Sequence, residues 1–275
     1  MIFANHAHVF PAEIKEKGAI EHLTELLDAC EIDKAVTFAP FSNQFADSAL
    51  YFDKDVNEWM AETVAQNDRY VGFGTVDITE NAKLSIPDQV QKIYELGLRG
   101  IKVHPAYQKM ALDGEKASQI FQKAEELGLF LSFHTGLHWH RIRDYQMLLF
   151  DEITYNFPNL YFSMEHVGGY SFFREALLVM VNNKRNPHCF AGLTSVEPEK
   201  DGLCGPWSLT DLELETLIYQ TGDDRTLFGL DFPYKNIEYV RNAMARIRRL
   251  NISDEAKENI LGKTLERQLF KETQA

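Results

Sequence analysis

Eight short apolar segments, rich in β-branched and aromatic residues, alternate along this chain with longer segments of helical period. Such alternation predicts a parallel sheet whose strands are connected by helices. Many of the segments are apolar throughout, which is typical of strands that are covered on both faces. The predicted strands are Met1–Asn5, Lys34–Ala39, Tyr70–Thr75, Arg99–His104, Phe130–His134, Leu160–Glu165, Cys189–Leu193 and Leu227–Asp231.

Predicted helices separate these strands, and a further helix ends the chain. That last helix starts at Ser253, a residue type that caps helix N-termini, and runs to about Leu269. The other predicted helices are Ala19–Cys30, Asp53–Asn67, Pro87–Leu96, Lys116–Leu127, Tyr145–Asn156, Phe172–Asn182, Asp211–Gln220 and Tyr239–Leu250.

A closed eight-stranded barrel and an open doubly wound sheet both fit this alternation. An open sheet that binds nucleotides usually carries a glycine-rich turn after its first strand. Here the first strand is followed by HAHVFP, and the sequence contains neither GxGxxG nor a P-loop. We therefore predict an α/β fold of the (β/α)8 (TIM) barrel type, as one domain over residues 1–275.

The charge of the chain limits its partners. A formal net charge of −13 repels phosphate backbones and anionic membrane surfaces, so we expect a small-molecule substrate and neither nucleic acid nor membrane. The N-terminus shows no signal peptide, and no apolar stretch is long enough to span a bilayer. Three widely spaced cysteines without CxxC do not form a disulfide framework, which fits a cytoplasmic protein.

His6 and His8 stand two residues apart at the end of the first predicted strand. Side chains two apart on a strand point to the same face, so both imidazoles can aim at one point. Neutral imidazole is a good ligand for zinc and related divalent ions. The pair is therefore a candidate for half of a metal site.

Four further strands also end in a residue of ligand type, each followed by Gly or Pro within two positions. In a barrel these strand ends lie on one rim, where active sites are found. Closure makes the last strand a neighbour of the first, which brings Asp231 beside His6 and His8. The four residues are His104 in GIKVHP, His134 in FLSFHTG, His166 in FSMEHVGG and Asp231 in LFGLDFP.

The order of these motifs resembles that of the amidohydrolase superfamily: HxH after strand 1, HTG after strand 5, HxGG after strand 6 and Asp after strand 8. It is most similar to the amidohydrolase 2 branch, which includes enzymes like aminocarboxymuconate-semialdehyde decarboxylase. The terminal segment ISDEAKENILGKTLERQLF resembles the last helix of that branch, so the resemblance covers nearly the whole chain. It implies a barrel of the metal-dependent hydrolase type, and a homodimer is an expectation from the same source.

The resemblance also implies roles for individual residues. It implies one divalent metal, most often zinc, with manganese as a possibility. His166 matches the catalytic histidine, and Asp231 matches the aspartate that approaches the metal and exchanges a proton with bound water or substrate. The implied metal ligands are His6, His8, His134 and Asp231.

Two positions depart from the family pattern. The family often has Asp two residues before the first ligand histidine, where this chain has Ala4. Its last helix often has Asn after a glycine, where this chain has Lys263 and Thr264. We expect the first departure to loosen the orientation of the HxH pair, whereas neither departure removes a ligand.

Lys102 and His104 lie two apart on strand 4, so both can face the barrel interior. Lys102 either binds a substrate carboxylate, while His104 reaches substrate or metal, or is carbamylated and bridges two metals as in binuclear members of the superfamily. We favour the mononuclear site, in which Lys102 and His104 contact substrate.

Other residues after the strand ends are candidates for shaping the substrate pocket. His138 and His140 form a second HxH, which we interpret as pocket-lining or exposed because a loop lacks the fixed geometry of a strand. The remaining pocket candidates are Trp139, Phe232, Tyr107 and Trp207.

These residues support three functions. In a hydrolase, metal-activated water attacks an amide, ester or lactone bond, Asp231 transfers protons, and His166 or the metal stabilises the oxyanion. In a decarboxylase or hydratase of an unsaturated or aromatic carboxylic acid, Asp231 or His166 protonates carbon and cations bind the acid. An inactive metal-binding barrel is the third. We rank them in this order, and the candidate cations are Lys102, Arg141 and Arg143.

Overall fold

Eight parallel strands close into a barrel, in chain order, in the computed structural model, which describes residues 1–185 and 187–270. Each strand pairs with the next one, and the last strand pairs with the first. The predicted (β/α)8 barrel is confirmed. The strands are β1 Phe3–His8, β2 Lys34–Phe38, β3 Tyr70–Gly74, β4 Gly100–Val103, β5 Phe130–His134, β6 Phe162–Glu165, β7 Cys189–Leu193 and β8 Thr226–Phe232.

All of the predicted helices between strands are present, with ends that differ by a few residues. Three short helices of four or five residues each, Ala12–Lys15, Ser42–Ala46 and Pro105–Gln108, were not expected from the sequence. The helices are α1 Ala12–Lys15, α2 Ile20–Ala29, α3 Ser42–Ala46, α4 Val56–Val64, α5 Ile86–Glu95, α6 Pro105–Gln108, α7 Glu115–Leu127, α8 Leu149–Asn156, α9 Gly169–Asn182, α10 Asp211–Thr221, α11 Ile237–Arg249, α12 Asp254–Glu258 and α13 Thr264–Leu269.

Polar residues at the N-termini of helices explain where several helices begin. The Asp55 carboxylate accepts hydrogen bonds from the first backbone N–H groups of α4, and Ser85 does the same for α5. Thr210 and Glu213 form a complete capping box at α10. These side chains satisfy N–H groups that have no partner inside the helix, so each helix starts at a defined residue.

The amino-terminal end of the barrel is filled with apolar side chains. Leu265 and Leu269 of α13 pack against this cluster, so the last helix closes that end. The carboxyl ends of the strands are left for the polar residues of the site. The cluster from the strands contains Phe3, Val36, Phe38, Val71, Phe73, Phe130, Phe190 and Leu227.

The carboxyl-terminal segment is not the continuous helix predicted over 253–269. A π-helical turn, Asn259–Lys263, separates α12 from α13. A Cβ atom on Gly262 would lie 2.4 Å from the backbone nitrogen of Phe3. The chain therefore approaches β1 at a distance that only glycine allows, and the helix is interrupted at that point. Ser253 caps α12 as predicted, with its Oγ 3.0 Å from the nitrogen of Ala256.

Strand β1 extends through His8, three residues beyond its predicted end at Asn5. Its register against β2 shifts between Ala4 and Ala7, and His6 between them has a φ of 67°. A bulge of this kind redirects side chains at a strand end. The HxH pair thus belongs to the strand itself.

In the part of the chain described, no helix is long and apolar enough to cross a membrane.

Candidate metal centre

Three of the predicted metal ligands converge at the carboxyl ends of β1 and β8. His6 Nε2 lies 3.1 Å from His8 Nε2 and 3.5 Å from Asp231 Oδ1. One potential ligand atom from each residue lies within 4.8 Å of the others. A tetrahedral ion about 2.1 Å from two ligand atoms separates them by about 3.4 Å. The observed distances therefore fit one cation bound by His6, His8 and Asp231.

The backbone turns left-handed at several of the residues on this rim. φ is 67° at His6, 64° at His166, 53° at Ser195 and 57° at Asp231. Positive φ is uncommon outside glycine and persists only where the surrounding structure holds it, most often at functional sites. The turns direct these side chains away from the simple up-and-down alternation of a strand.

Glu165, the last residue of β6, lies under the centre and is fully buried. Its Oε1 accepts hydrogen bonds from Asn5 Nδ2 at 2.6 Å, from Ser132 Oγ at 3.3 Å and from Ser163 Oγ. Its Oε2 accepts from Thr194 Oγ1 at 2.6 Å. A buried carboxylate with this many hydrogen-bond donors is held in one orientation.

This carboxylate lies next to His6, the first of the predicted ligands. Glu165 Oε2 lies 3.2 Å from Nδ1 of His6, although the two atoms are not aligned for a hydrogen bond. A carboxylate at the far nitrogen favours a proton there and leaves Nε2 free to bind a metal. Glu165 thus supplies from β6 the acidic neighbour that the sequence lacks at Ala4.

His134 and His166 form a pair beside the three converging ligands. Nδ1 of His166 lies 2.7 Å from the carbonyl oxygen of Thr194, and Nε2 of His134 lies 2.8 Å from that of Gly136. Carbonyl oxygens only accept, so we assign the protons to these two nitrogens. Nδ1 of His134 and Nε2 of His166 then present lone pairs to each other across 3.2 Å, an arrangement that fits a shared cation or proton.

His134 is not one of the three residues whose ligand atoms converge within 4.8 Å in the described part of the chain. Its free nitrogen faces His166, and its ring stacks on His104 with centroids 3.9 Å apart. The role of His134 as a fourth ligand to the same ion therefore stays a prediction.

Burial keeps the histidines of the rim neutral. It lowers the pKa of His6, His8 and His134 well below the ordinary value and brings the pKa of His166 to about 3. Burial also raises the pKa of the Asp231 carboxyl, against a hydrogen bond from Ser195 Oγ that lowers it. Neutral imidazole is the form that binds metal ions.

Lys102 extends from β4 toward the same space and is 1% exposed. Its Nζ has no hydrogen-bond partner among the described residues and lies 4.8 Å from the centre of the Phe38 ring. Burial lowers its pKa to about 8, so the side chain is still protonated in most molecules at pH 7. A buried ammonium without a partner is costly, and a bound anion would remove that cost.

His104, His138 and His140 form a second group whose ligand atoms lie within 4.8 Å of one another. His104 is buried, whereas His138 is exposed. The sequence indicated a second HxH here, but it did not show that His104 would join it. Gln108 accepts the backbone N–H of His104 at 2.8 Å and helps to hold that residue in place.

The remaining pocket candidates are placed differently from one another. Trp139 is 75% exposed and Phe232 is buried in the apolar core. The Trp207 ring lies 4.9 Å from that of His166, so the loop after β7 covers the centre. Arg141 is exposed and pairs with Asp144, 3.0 Å away.

Several residues that build the site were not identified from the sequence. Glu165 directly precedes His166 in the motif MEHVGG, so its position at a strand end was a signal that could have been used. Hydroxyl and amide residues that pair only across strands carry no comparable local signal. These residues are Asn5, Ser132, Ser163, Thr194 and Ser195.

Comparison with known proteins gives a family match over nearly the whole chain. The model of a family described as Amidohydrolase matches residues 6–269. The 2-amino-3-carboxymuconate-6-semialdehyde decarboxylase of Dictyostelium discoideum is 24% identical over 248 residues, covering 78% of this chain. The chain spans 65% of the length of that curated relative.

Solved structures of low sequence identity share the fold. The 5-carboxyvanillate decarboxylase of Sphingomonas paucimobilis superposes with a TM-score of 0.72 at 16% identity, covering 98% of both chains. A dihydroxybenzoic acid decarboxylase of Polaromonas, solved with bound manganese and the inhibitor 2-nitroresorcinol, gives a TM-score of 0.70 at 15% identity, covering 98% of this chain and 96% of that one.

Proposed function

Because the chain belongs to the amidohydrolase family, we propose that it is a metal-dependent, non-oxidative decarboxylase of an aromatic or unsaturated carboxylic acid. The observation that carries the proposal is Lys102, a buried ammonium that has no hydrogen-bond partner among the described residues and lies beside three converging metal ligands. A carboxylic acid matches this combination of charges. The relatives named as decarboxylases support the same choice over the hydrolase that the sequence alone ranked first.

His6, His8 and Asp231 would hold the metal, with His134 as the fourth ligand of the proposed set. Two imidazoles and a carboxylate suit zinc or manganese, and a manganese ion is present in the Polaromonas structure. When bound, the metal supplies positive charge that orients and polarises the oxygen atoms of the substrate.

Lys102 places a second positive charge in the mouth of the barrel. It would pair with an oxygen of the substrate carboxylate and so fix the acid in the site. Arg141 already pairs with Asp144 on the surface, which leaves Lys102 as the better placed of these two cations. His104 and His138 border the same mouth and would contact the rest of the substrate.

Decarboxylation breaks the bond between the carboxyl carbon and its neighbour and leaves the electron pair on that neighbour. A proton must then reach this carbon. Asp231, whose Oδ1 lies 3.5 Å from His6 Nε2 at the centre, would deliver this proton. His166 is neutral, and its free Nε2 carries a lone pair, so it would accept a hydrogen bond from the substrate.

The test is carbon dioxide release from a panel of hydroxybenzoic and muconate-type acids by the metal-loaded protein. We expect release with at least one acid, and a loss of about 100-fold or more in Asp231→Asn. His22→Ala changes an exposed histidine of α2 that is remote from the site and serves as control.

Hydrolysis of a lactone, ester or amide without carbon dioxide release from any acid would contradict the decarboxylase proposal. It would support the hydrolase alternative, which uses the same three ligands and the same proton-transfer residue. Equal activity of the wild type and Asp231→Asn would contradict the role of Asp231 in both functions.

A further inference from the structure

We propose that His104, His138 and His140 form a second site for a divalent cation, at the mouth of the barrel and separate from the site of His6, His8 and Asp231. Its own ligand atoms lie within 4.8 Å of one another, as do those of the first site. The two groups share no residue. The proposal does not depend on the reaction that the enzyme catalyses.

The distances in this cluster fit a coordinated ion. His104 Nε2 and His138 Nδ1 lie 3.4 Å apart, which is long for a hydrogen bond but close to the separation of about 3.4 Å expected for two nitrogens on a tetrahedral ion. The His140 ring centroid lies 5.4 Å from that of His104 and 5.7 Å from that of His138. The three rings therefore surround one point.

The loop that carries His138 and His140 is fixed by a buried hydroxyl group. Tyr145 Oη accepts the backbone N–H of His138 at 2.7 Å and that of His140 at 3.2 Å. Trp139 between them has a φ of 59° and directs its own side chain to solvent. Because of this turn, the imidazoles of His138 and His140 both reach His104, as the two imidazoles of an HxH pair on a strand reach one point.

His104 is the rigid member of the cluster. It is buried, it directly follows β4, and its ring stacks on that of His134 at an interplanar angle of 10°. Its Nδ1 accepts the N–H of Tyr107 at 3.3 Å, a long contact that is lost when Nε2 binds an ion and the proton moves to Nδ1. This loss, and the absence of a carboxylate from the cluster, predict weaker binding here than at the first site.

The chemistry of the ligands indicates the class of ion. Three neutral imidazoles suit zinc, nickel, cobalt or copper rather than magnesium or calcium, which prefer oxygen. Three imidazoles leave the full positive charge on the ion and at least one coordination position open. An anionic group of a ligand in the mouth would complete the coordination.

The experiment counts zinc. Wild-type protein is stripped with a chelator, reloaded with zinc alone, freed of excess metal, and its zinc per chain is measured by elemental mass spectrometry. We expect two equivalents in the wild type, and the weaker one is removed first by a competing chelator. His138→Ala/His140→Ala should retain one equivalent, His6→Ala/His8→Ala should retain the other, and His22→Ala should retain both.

The proposal is overturned if the wild type and His138→Ala/His140→Ala bind the same amount of zinc per chain. A second equivalent that survives this substitution belongs elsewhere, such as His134 with His166, and overturns it as well. The variant His138→Gln/His140→Gln keeps polar side chains in the loop but removes both imidazoles. If it loses the zinc equivalent while its melting temperature matches that of the wild type, the loss is not due to unfolding. Failure of the proposed decarboxylase appears separately, because it leaves the zinc equivalent of His138 and His140 unchanged.

Discussion

Lys102 shows at the scale of one residue what the burial of a charged group costs the native protein. Burial lowers its pKa from 10.5 to about 8, so between these values the unfolded chain binds a proton that the native protein does not. The free energy of unfolding therefore rises with pH across this interval, by up to about 3 kcal/mol. Below the interval the ammonium is charged in both states, and the native protein carries the full cost of burying it.

We predict that Lys102→Met stabilises the metal-free protein near pH 7 and abolishes this rise. Urea unfolding of the wild type and the variant at about pH 7 and about pH 10 measures the difference in their free energies of unfolding at each pH. The difference should shrink toward the higher pH. A difference that does not change with pH would show that Lys102 finds a partner in solution.

The residues of the site were predictable from the sequence to different degrees, for a physical reason. Local sequence patterns predict His6, His8 and Asp231, because ligand-type residues at the ends of apolar strands are rare and can be recognised from short segments. Asn5 and Thr194 act through Glu165 on another strand, and no local pattern indicates such pairing, whereas Glu165 itself does stand at a strand end. The assembly of a second histidine cluster likewise depended on how two loops meet.

Among the elements of the fold, the contact between β6 and β7 shows how strand packing positions the site. Gly192 of β7 pairs with Glu165, and a Cβ atom on Gly192 would lie 2.3 Å from Glu165 Oε2. That carboxylate is hydrogen-bonded from several sides and cannot move without breaking those bonds. The glycine thus leaves the space that the carboxylate beside His6 requires.

We predict that Gly192→Ala destabilises the protein by about 1–3 kcal/mol and weakens zinc binding at His6 and His8. Gly205→Ala is the matched control, because its Cβ would meet only the Ser208 hydroxyl at 3.5 Å. Chemical denaturation and zinc competition measure the two effects. Unchanged zinc affinity in a destabilised Gly192→Ala protein would show that Glu165 does not orient His6.

The elements themselves were largely predictable, because hydrophobic periodicity and capping residues are local signals. The departures occur where tertiary contacts override these signals. The approach of Gly262 to Phe3 interrupts the last helix, and the bulge in β1 carries that strand through His8. The short helices α1, α3 and α6 are below the length at which periodicity can be recognised.

Across the whole molecule, the residues that stabilise the fold by apolar packing and the residues of the candidate site lie at different ends of the barrel. The apolar cluster that contains Phe3 and Leu227 lies at the amino-terminal end, where α13 contacts β1 and β8. The titratable groups gather at the opposite end. Phe38 is the member of this cluster that reaches the site, with its ring centroid 4.9 Å from that of His6. A substitution at the α13 side of the cluster should therefore change the stability of the fold without changing the arrangement of metal ligands, as long as the barrel remains closed.

Leu265→Ala tests this separation, because Leu265 is 1% exposed and packs into the cluster from α13. We predict a loss of about 2–5 kcal/mol in unfolding free energy and a lower melting temperature. Zinc affinity, measured well below the unfolding transition, should match that of the wild type. Leu178→Ala on the exposed side of α9, where Leu178 is 59% exposed, is the control for side-chain truncation. Zinc affinity that falls with stability in Leu265→Ala would mean that α13 holds the strand ends in register through the length of the barrel.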